Sequence, residues 1–368
     1  MPSVVISGYY GFDNWGDEAI LEAAATGLAG AVPGVEITVL SHDPAATLAR
    51  HGLHAVNRSD PAAVWRAIRR SDMLVSGGGS LLQDVTSTRS LWYYLGVILM
   101  AQHLGKKVML YANGVGPINR RLNRSLARLV LDRVPLITVR GPSSERLLRE
   151  LGVTAPRVVV TADSAFAIEP APLERVAAIC EAEGLPDIGD HRQGRVVGVA
   201  VRPWRGSRNI ERVVARAADY ISGKLGYRVL FLPVHRRVDL AAVEAVRAEM
   251  QQPSYLLQGS YSAADTVGLL SRLRWILSMR LHPLIFAAVG GVPAVGLVYD
   301  PKVHEFLAEA EQVSVGPVER TTLEDILLGI TEVEKDYSNR VVRLGQVVAR
   351  FRERARLNNT LAAELLNL

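Results

Sequence analysis

Residues 274–291 read RWILSMRLHPLIFAAVGG. The run at 275–279 has the length and composition of a strand buried on both faces, and 284–289 those of a helix packed against it. Between them stand Arg280, Leu281, His282 and Pro283. Proline fits the first turn of a helix, where its missing N–H leaves no gap. The stretch therefore reads as one strand-to-helix unit of a parallel sheet, with its cations at the carboxyl end of the strand, where such sheets bind ligands. Arg280 and His282 alternate on the last residues of the strand end, and its period of two puts their side chains on one side. An anion there would meet both side chains and a helix N-terminus together. The plainer alternative for His282 is a structural histidine.

The same unit recurs along the chain. Apolar runs stand at 3–8 (SVVISG), 35–40 (VEITVL), 72–79 (DMLVSGGG), 107–114 (KVMLYANG), 136–141 (LITVRG) and 157–163 (RVVVTAD), with helical stretches between them. Uninterrupted apolar strands alternating with helices specify parallel sheets covered on both faces. Residues 168–176, IEPAPLERV, break the pattern with two prolines and read as a linker. Strands resume at 195–203, 227–235, 254–259, 274–280, 293–299 and 313–318. The expected fold class is α/β, with two Rossmann-like doubly wound domains facing a cleft, in the manner of GT-B enzymes. The first domain is expected to span 1–168 and the second 175–336. A helical, arginine-rich segment, 337–368, follows, and by analogy with GT-B transferases it packs back on the first domain. Single cores stop growing near roughly 250–300 residues, which supports the division.

The chain has 368 residues, of which 49% are hydrophobic and 21% charged, with a formal net charge of +5. The mild basic excess suits a phosphate-rich metabolite, an anionic membrane surface or nucleic acid, or no specific partner at all. Nucleic acid is disfavoured because no recognition helix or aromatic sheet motif appears. With Cys180 alone, neither an internal disulfide nor a cysteine cluster for zinc can form. There is no HExxH and no His/Cys ligand set, so no metal and no cofactor are expected. The start of the chain lacks the features of a signal peptide. The longest apolar run, 90–105, falls short of the ~20 residues of a membrane span. A cytoplasmic protein is expected.

Other junctions carry polar groups that a connection does not need. In SGYYGFDNWGDEAIL, 7–21, a strand runs into a glycine- and aromatic-rich loop and then a helix. Asp17 would suit helix capping, but Asp13, Asn14 and Trp15 beside it suggest an aromatic-lined pocket for sugar hydroxyls. In VSGGGSLLQD, 75–84, three glycines permit close approach of a ligand or merely a tight turn, and Ser80, Gln83 and Asp84 follow. NGVGP, 113–117, lies on the same edge. In the second half, VRPWRG, 201–206, places Arg202 after a strand, and YDPKV, 299–303, places Lys302 at a helix start. LPVHRRVD, 232–239, brings His235 and Asp239, with a weaker claim to chemistry.

In this order and spacing, GYYGFDNWGDEAIL, SGGGSLLQD, NGVGP, AVRPW, SMRLHPLIFAA and GLVYDPKV resemble the polysaccharide pyruvyltransferase family, and within it the CsaB type, over nearly the whole chain. The resemblance implies a GT-B-like fold and transfer of pyruvyl from phosphoenolpyruvate to two sugar hydroxyls as a cyclic ketal, with release of phosphate. It also implies an acceptor containing N-acetylmannosamine, a disaccharide linked to polyprenyl diphosphate, whose ketal anchors S-layer proteins. The family's phosphoenolpyruvate-binding residues map onto Arg202, Arg280, Leu281 through its backbone, His282 and Lys302. His282 is then the expected general acid, protonating either C3 or the departing phosphate. Asp13, Asn14, Asp17, Gln83 and Asp84 are the expected acceptor contacts, with Asp13 or Asp17 as base.

A lipid-linked acceptor implies peripheral contact at the inner face of the cell membrane. INRRLNRSLARLVLDR, 118–133, spaces Arg120, Arg124 and Arg128 on one helix face, near the aromatic run Trp92, Tyr93, Tyr94. The rival function is a nucleotide-sugar glycosyltransferase on the same fold. It lacks a clear glutamate for the ribose at the GLVYDPKV junction. A lectin-like protein of this fold would not need so many cations and carboxylates.

Overall fold

The computed structural model describes residues 1–85, 87–185, 194–204, 206 and 209–367. Arg205, within the stretch 201–206, lies outside them. The chain divides into two compact units, residues 1–167 with 351–368, and residues 168–350.

In the first unit β1 (Ser3–Tyr10), α1 (Trp15–Ala31), β2 (Glu36–Ser41), α2 (Pro44–His51), β3 (His54–Asn57), α3 (Pro61–Arg70), β4 (Met73–Ser76) and β5 (Gly79–Leu82) are followed by α4 (Thr88–His103), β6 (Lys107–Val115), α5 (Arg121–Leu131), β7 (Leu136–Val139), α6 (Pro142–Leu151) and β8 (Arg157–Val160). The strands lie in the order β3-β2-β1-β4-β6-β7-β8, with β5 paired to β6, and all pairings are parallel. Alternation along β1 separates two cores. Val5 joins Leu74, Leu110 and Ile137 under α3, α4, α5 and α6. Val4 and Ile6 join Leu21, Leu28, Leu361 and Leu365 on the other face. Prolines at the starts of α2 and α3 sit behind Asp43 and Asp60, whose carboxylates accept from the first free amides.

The second unit runs α7 (Leu173–Glu183), β9 (Val196–Ala200), α8 (Ile210–Gly223), β10 (Arg228–Phe231), α9 (Arg236–Glu249), β11 (Ser254–Leu256), α10 (Ala263–Leu270), β12 (Ile276–Ser278), α11 (Leu281–Val289), β13 (Ala294–Leu297), α12 (Pro301–Glu309), β14 (Val313–Val315), α13 (Leu323–Lys335) and α14 (Tyr337–Asn367). Its strands are ordered β11-β10-β9-β12-β13-β14, all parallel. Val197, Val199 and Leu277 pack under α8, α9 and α13. From residue 351 onward α14 belongs to the first unit, where Asn358 accepts from Thr161 Oγ1 at 2.9 Å and Phe351 stacks on Phe166 at 4.5 Å.

Both sheets reverse their strand order once, between β1 and β4 in the first unit and between β9 and β12 in the second. Successive helices leave toward opposite faces there, which opens a crevice at the carboxyl edge. Among the described residues no helix is long and apolar enough to cross a membrane.

Candidate active site

In the second unit the cations gather at that reversal. Ala200 of β9 pairs with Ser278 of β12, so Arg202 and Arg280 each stand two residues beyond one paired row. Lys302 opens α12, which follows the next strand, β13. The strand ends at Ser278, so His282 is not a strand residue. It is the second residue of α11, with its ring 6.1 Å from Phe286. Alternation along the strand therefore does not relate it to Arg280. Arg280 is the N-cap residue, extended at φ −86, ψ 134. Its N–H donates to Ser278 Oγ at 2.9 Å, and Leu281 is buried.

Arg280 is clamped. Its Nε donates to Asp239 Oδ2 at 3.0 Å and its Nη2 to Asp239 Oδ1. Asp239 is fully buried, and the N–H of His235 donates to its Oδ2 at 2.9 Å. A bidentate carboxylate fixes the plane of the guanidinium and leaves the opposite edge, at Nη1, for another anion. Asp239, the weaker candidate in sequence, is the residue that orients the arginine. Arg202 lies over Tyr299 (4.8 Å) and Trp204 (5.8 Å), and its buried Nε has no hydrogen-bond partner among the described residues. Lys302 Nζ is 3.2 Å from Asp300, the cap of α12.

In the first unit the two loops at the reversal carry the remaining expected residues. Asn14, rather than Asp17, caps α1, accepting from Gly16 N at 3.1 Å. Asp13 takes a left-handed φ of +57 and pairs with Arg50 at 3.1 Å. Asp17 and Gln83 are half-buried at the same edge. Glu18, which sequence reasoning passed over, anchors the loop: it accepts from Gly11 N and lies 2.9 Å from His51 Nε2, both side chains being buried.

Asp84 is no ready acceptor for a sugar hydroxyl. It is buried and accepts from Asn119 N, Arg120 N and Asn123 Nδ2 at 2.8–3.0 Å, closing the start of α5 from outside. Burial pushes its pKa up, but these donors outweigh burial and hold it below the usual carboxylate range. Its contribution to stability is present above the unfolded carboxylate pKa and fades as pH falls through the lowered folded value.

Gly77 and Gly78 serve packing. A Cβ on Gly77 would stand 2.3 Å from Tyr10 Oη, and one on Gly78 2.9 Å from Ile20. Gly79 has φ +88 and faces Asp17. The Tyr10 hydroxyl is buried with no hydrogen-bond partner among the described residues, and burial, then the charge of Asp17, pushes its pKa well above the ordinary phenol value. Gly77→Ala is expected to destabilise the protein by about 2–3 kcal/mol through overpacking. Tyr10→Phe, which removes the clashing atom and an orphan hydroxyl, is expected to recover most of that loss in the double variant. Denaturant titration of the two single variants and the double variant measures the coupling; strictly additive effects would show that the clash is not the cause.

Sequence reasoning also missed Arg140 and Arg58. Arg140 follows β7 as Arg202 follows β9, a signal legible in LITVR. It donates to Asp163 at 2.9 Å and to Ser80 at 2.7 Å. Arg58 follows β3, packs over the Tyr93 ring at 4.2 Å and donates to Gly8 O at 2.9 Å.

Residues 14–301 match the family described as Polysaccharide pyruvyl transferase. The chain is similar to the Amylovoran biosynthesis protein AmsJ of Erwinia amylovora, 23% identical over 320 residues, covering 81% of this chain and 73% of that one. Among solved structures it is similar to Anabaena Alr3699/HepE in complex with UDP and glucose, with a TM-score of 0.65, 12% identity and all of both chains covered. It is likewise similar to UDP-GlcNAc 2-epimerase from Neisseria meningitidis bound to UDP-GlcNAc, with a TM-score of 0.64, 13% identity and all of both chains covered. At such identities these structures speak for the fold alone, an α/β pair of Rossmann-like domains of GT-B type. The family match spans most of the sequence, and the chain therefore belongs to the polysaccharide pyruvyl transferase family and is a pyruvyltransferase.

Proposed function

We propose that the donor is phosphoenolpyruvate, bound at the carboxyl edge of the second unit. The observation that carries this reading is the placement of Arg202, Arg280 and Lys302 at the ends of three adjacent strands, β9, β12 and β13, with the N-terminus of α11 between them. A small molecule bearing both a carboxylate and a phosphate calls for several cations. Arginine forks suit both groups. The free edge of Arg280 and the unpartnered Nε of Arg202 supply donors, and the amides of Leu281 and His282 open the helix.

His282 gives a proton to C3 of the enol phosphate, leaving an oxocarbenium-like centre at C2. One sugar hydroxyl adds there and loses its proton to a carboxylate, Asp13 or Asp17. A second hydroxyl displaces phosphate, which departs carrying that hydroxyl's proton, and closes the ketal. His282 protonating the departing phosphate instead is the alternative assignment of the same residue. The acceptor is proposed to be an N-acetylmannosamine-containing disaccharide on polyprenyl diphosphate, as in CsaB-type enzymes, met by Asp13, Asn14, Asp17 and Gln83 of the first unit.

Calorimetric titration tests the donor. The full chain is expected to bind phosphoenolpyruvate and to give no heat with UDP or UDP-sugars. Binding of UDP without phosphoenolpyruvate would replace this reading with a nucleotide-sugar glycosyltransferase.

A further inference from the structure

Two helices of the first unit lie side by side with unusual outer faces. α4 and α5 pack on the same side of the sheet, and Trp92 Nε1 of α4 donates to Asn123 Oδ1 of α5 at 2.9 Å. On α4 the solvent stripe is Arg89, Trp92, Gly96, Leu99 and His103; on α5 it is Arg121, Leu122, Ser125, Arg128 and Leu129. Leu122 is 70% exposed, Leu129 55%, and Val85, in the loop before α4, 66%. Neither stripe carries a carboxylate. Arg89 and Arg121 form no ion pair with a described residue, whereas the neighbouring Arg120 and Arg128 lie in the fields of the Asp84 and Asp132 carboxylates.

The basic face expected from sequence is thereby redrawn. Arg124 drops out, because its guanidinium donates to the carbonyls of Ile118 (3.2 Å) and Glu150 (3.4 Å). Tyr93 and Tyr94 turn inward onto Arg58. Trp92 remains on the face, joined by the exposed leucines.

We infer that the α4–α5 face docks on an anionic lipid bilayer. Large apolar side chains and a tryptophan flanked by arginines, with no acid among them, complement a surface that is apolar below and negative above. The placement also fits the chemistry. Each helix follows its strand and so begins at the carboxyl edge, and Asp84 ties the loop before α4 to the start of α5. Asp13, Asp17 and Gln83 stand at that same edge. A bilayer touching these helix starts lies beside the loops proposed for the acceptor, so the inference rests on the reading of a lipid-linked sugar.

Co-sedimentation of the full chain with vesicles of phosphatidylcholine, alone or mixed with phosphatidylglycerol, tests it. The chain is expected to partition onto the mixed vesicles and to be released by salt. The pairs Leu122→Glu with Leu129→Glu, and Arg89→Glu with Arg121→Glu, are each expected to lower the partition by about tenfold or more, with unchanged melting temperature and phosphoenolpyruvate binding. No partition onto the mixed vesicles, or partition unaltered by either pair, overturns the docking. So does a dimer in sedimentation velocity that the leucine pair converts to a monomer, since the face would then be an interface between copies. Donor binding in the same samples is read separately: intact donor binding without vesicle binding removes the docking and leaves the donor reading standing.

Discussion

Arg280→Ala is expected to lower kcat/KM for phosphoenolpyruvate by about a thousandfold, roughly 4 kcal/mol of binding to the transition state. It is also expected to destabilise the second unit. The Asp239 carboxylate, fully buried and held in two places by Arg280, would stand as an uncompensated charge. Losing one partner of such a pair costs about 3–5 kcal/mol. The two effects separate in the double variant. Asp239→Asn beside Arg280→Ala removes the stranded charge and is expected to restore most of the stability while leaving turnover low. Denaturant midpoints and steady-state kinetics on the same preparations decide. Recovery of turnover along with stability would mean that Arg280 only supports the fold and does not touch the donor.

His282→Ala is the second large effect, with an expected fall in kcat of about 10²–10⁴, the range for losing a positioned acid or base. The donor Kd is expected to change much less, because Arg202, Arg280 and Lys302 remain. Imidazole suits the step because it both gives and takes protons near neutral pH. A kcat unchanged in His282→Ala would refute its role as acid. Asp17→Ala is a useful contrast, expected to act mainly on the acceptor KM. The kinetic split between donor and acceptor parameters thus reports which unit a residue serves.

The strand pattern was legible wherever strands are continuous apolar runs. β7 and the strands of the second unit lie within the stretches that composition marks, while β1 runs two residues past its stretch and β2 and β6 one residue each. Two strands were not. β3, HAVN, is a four-residue edge strand, too short and too polar to show a period. β5, GSLL, looks like the tail of a glycine turn. The exact end of β12 was also misplaced, and with it the reason for pairing Arg280 with His282. Helix α11 begins one residue after Arg280, and no local signal marks that boundary more sharply than the proline.

Sequence by itself determined the parallel α/β architecture and the appearance of Arg202, Arg280, His282 and Lys302 at strand-to-helix junctions. Both follow from local composition and spacing, since a strand's carboxyl end is identifiable without knowing its neighbours. Only the tertiary structure decided what each polar group meets. Arg280 finds Asp239 across 41 residues of sequence, and Asp84 finds the start of α5 across 36. The glycines at 77 and 78 answer to Tyr10 and Ile20. These partnerships depend on strand order and on the reversals between β1 and β4 and between β9 and β12. Strand order is set by which apolar faces bury one another over the whole chain, and short-range periodicity carries no record of that choice.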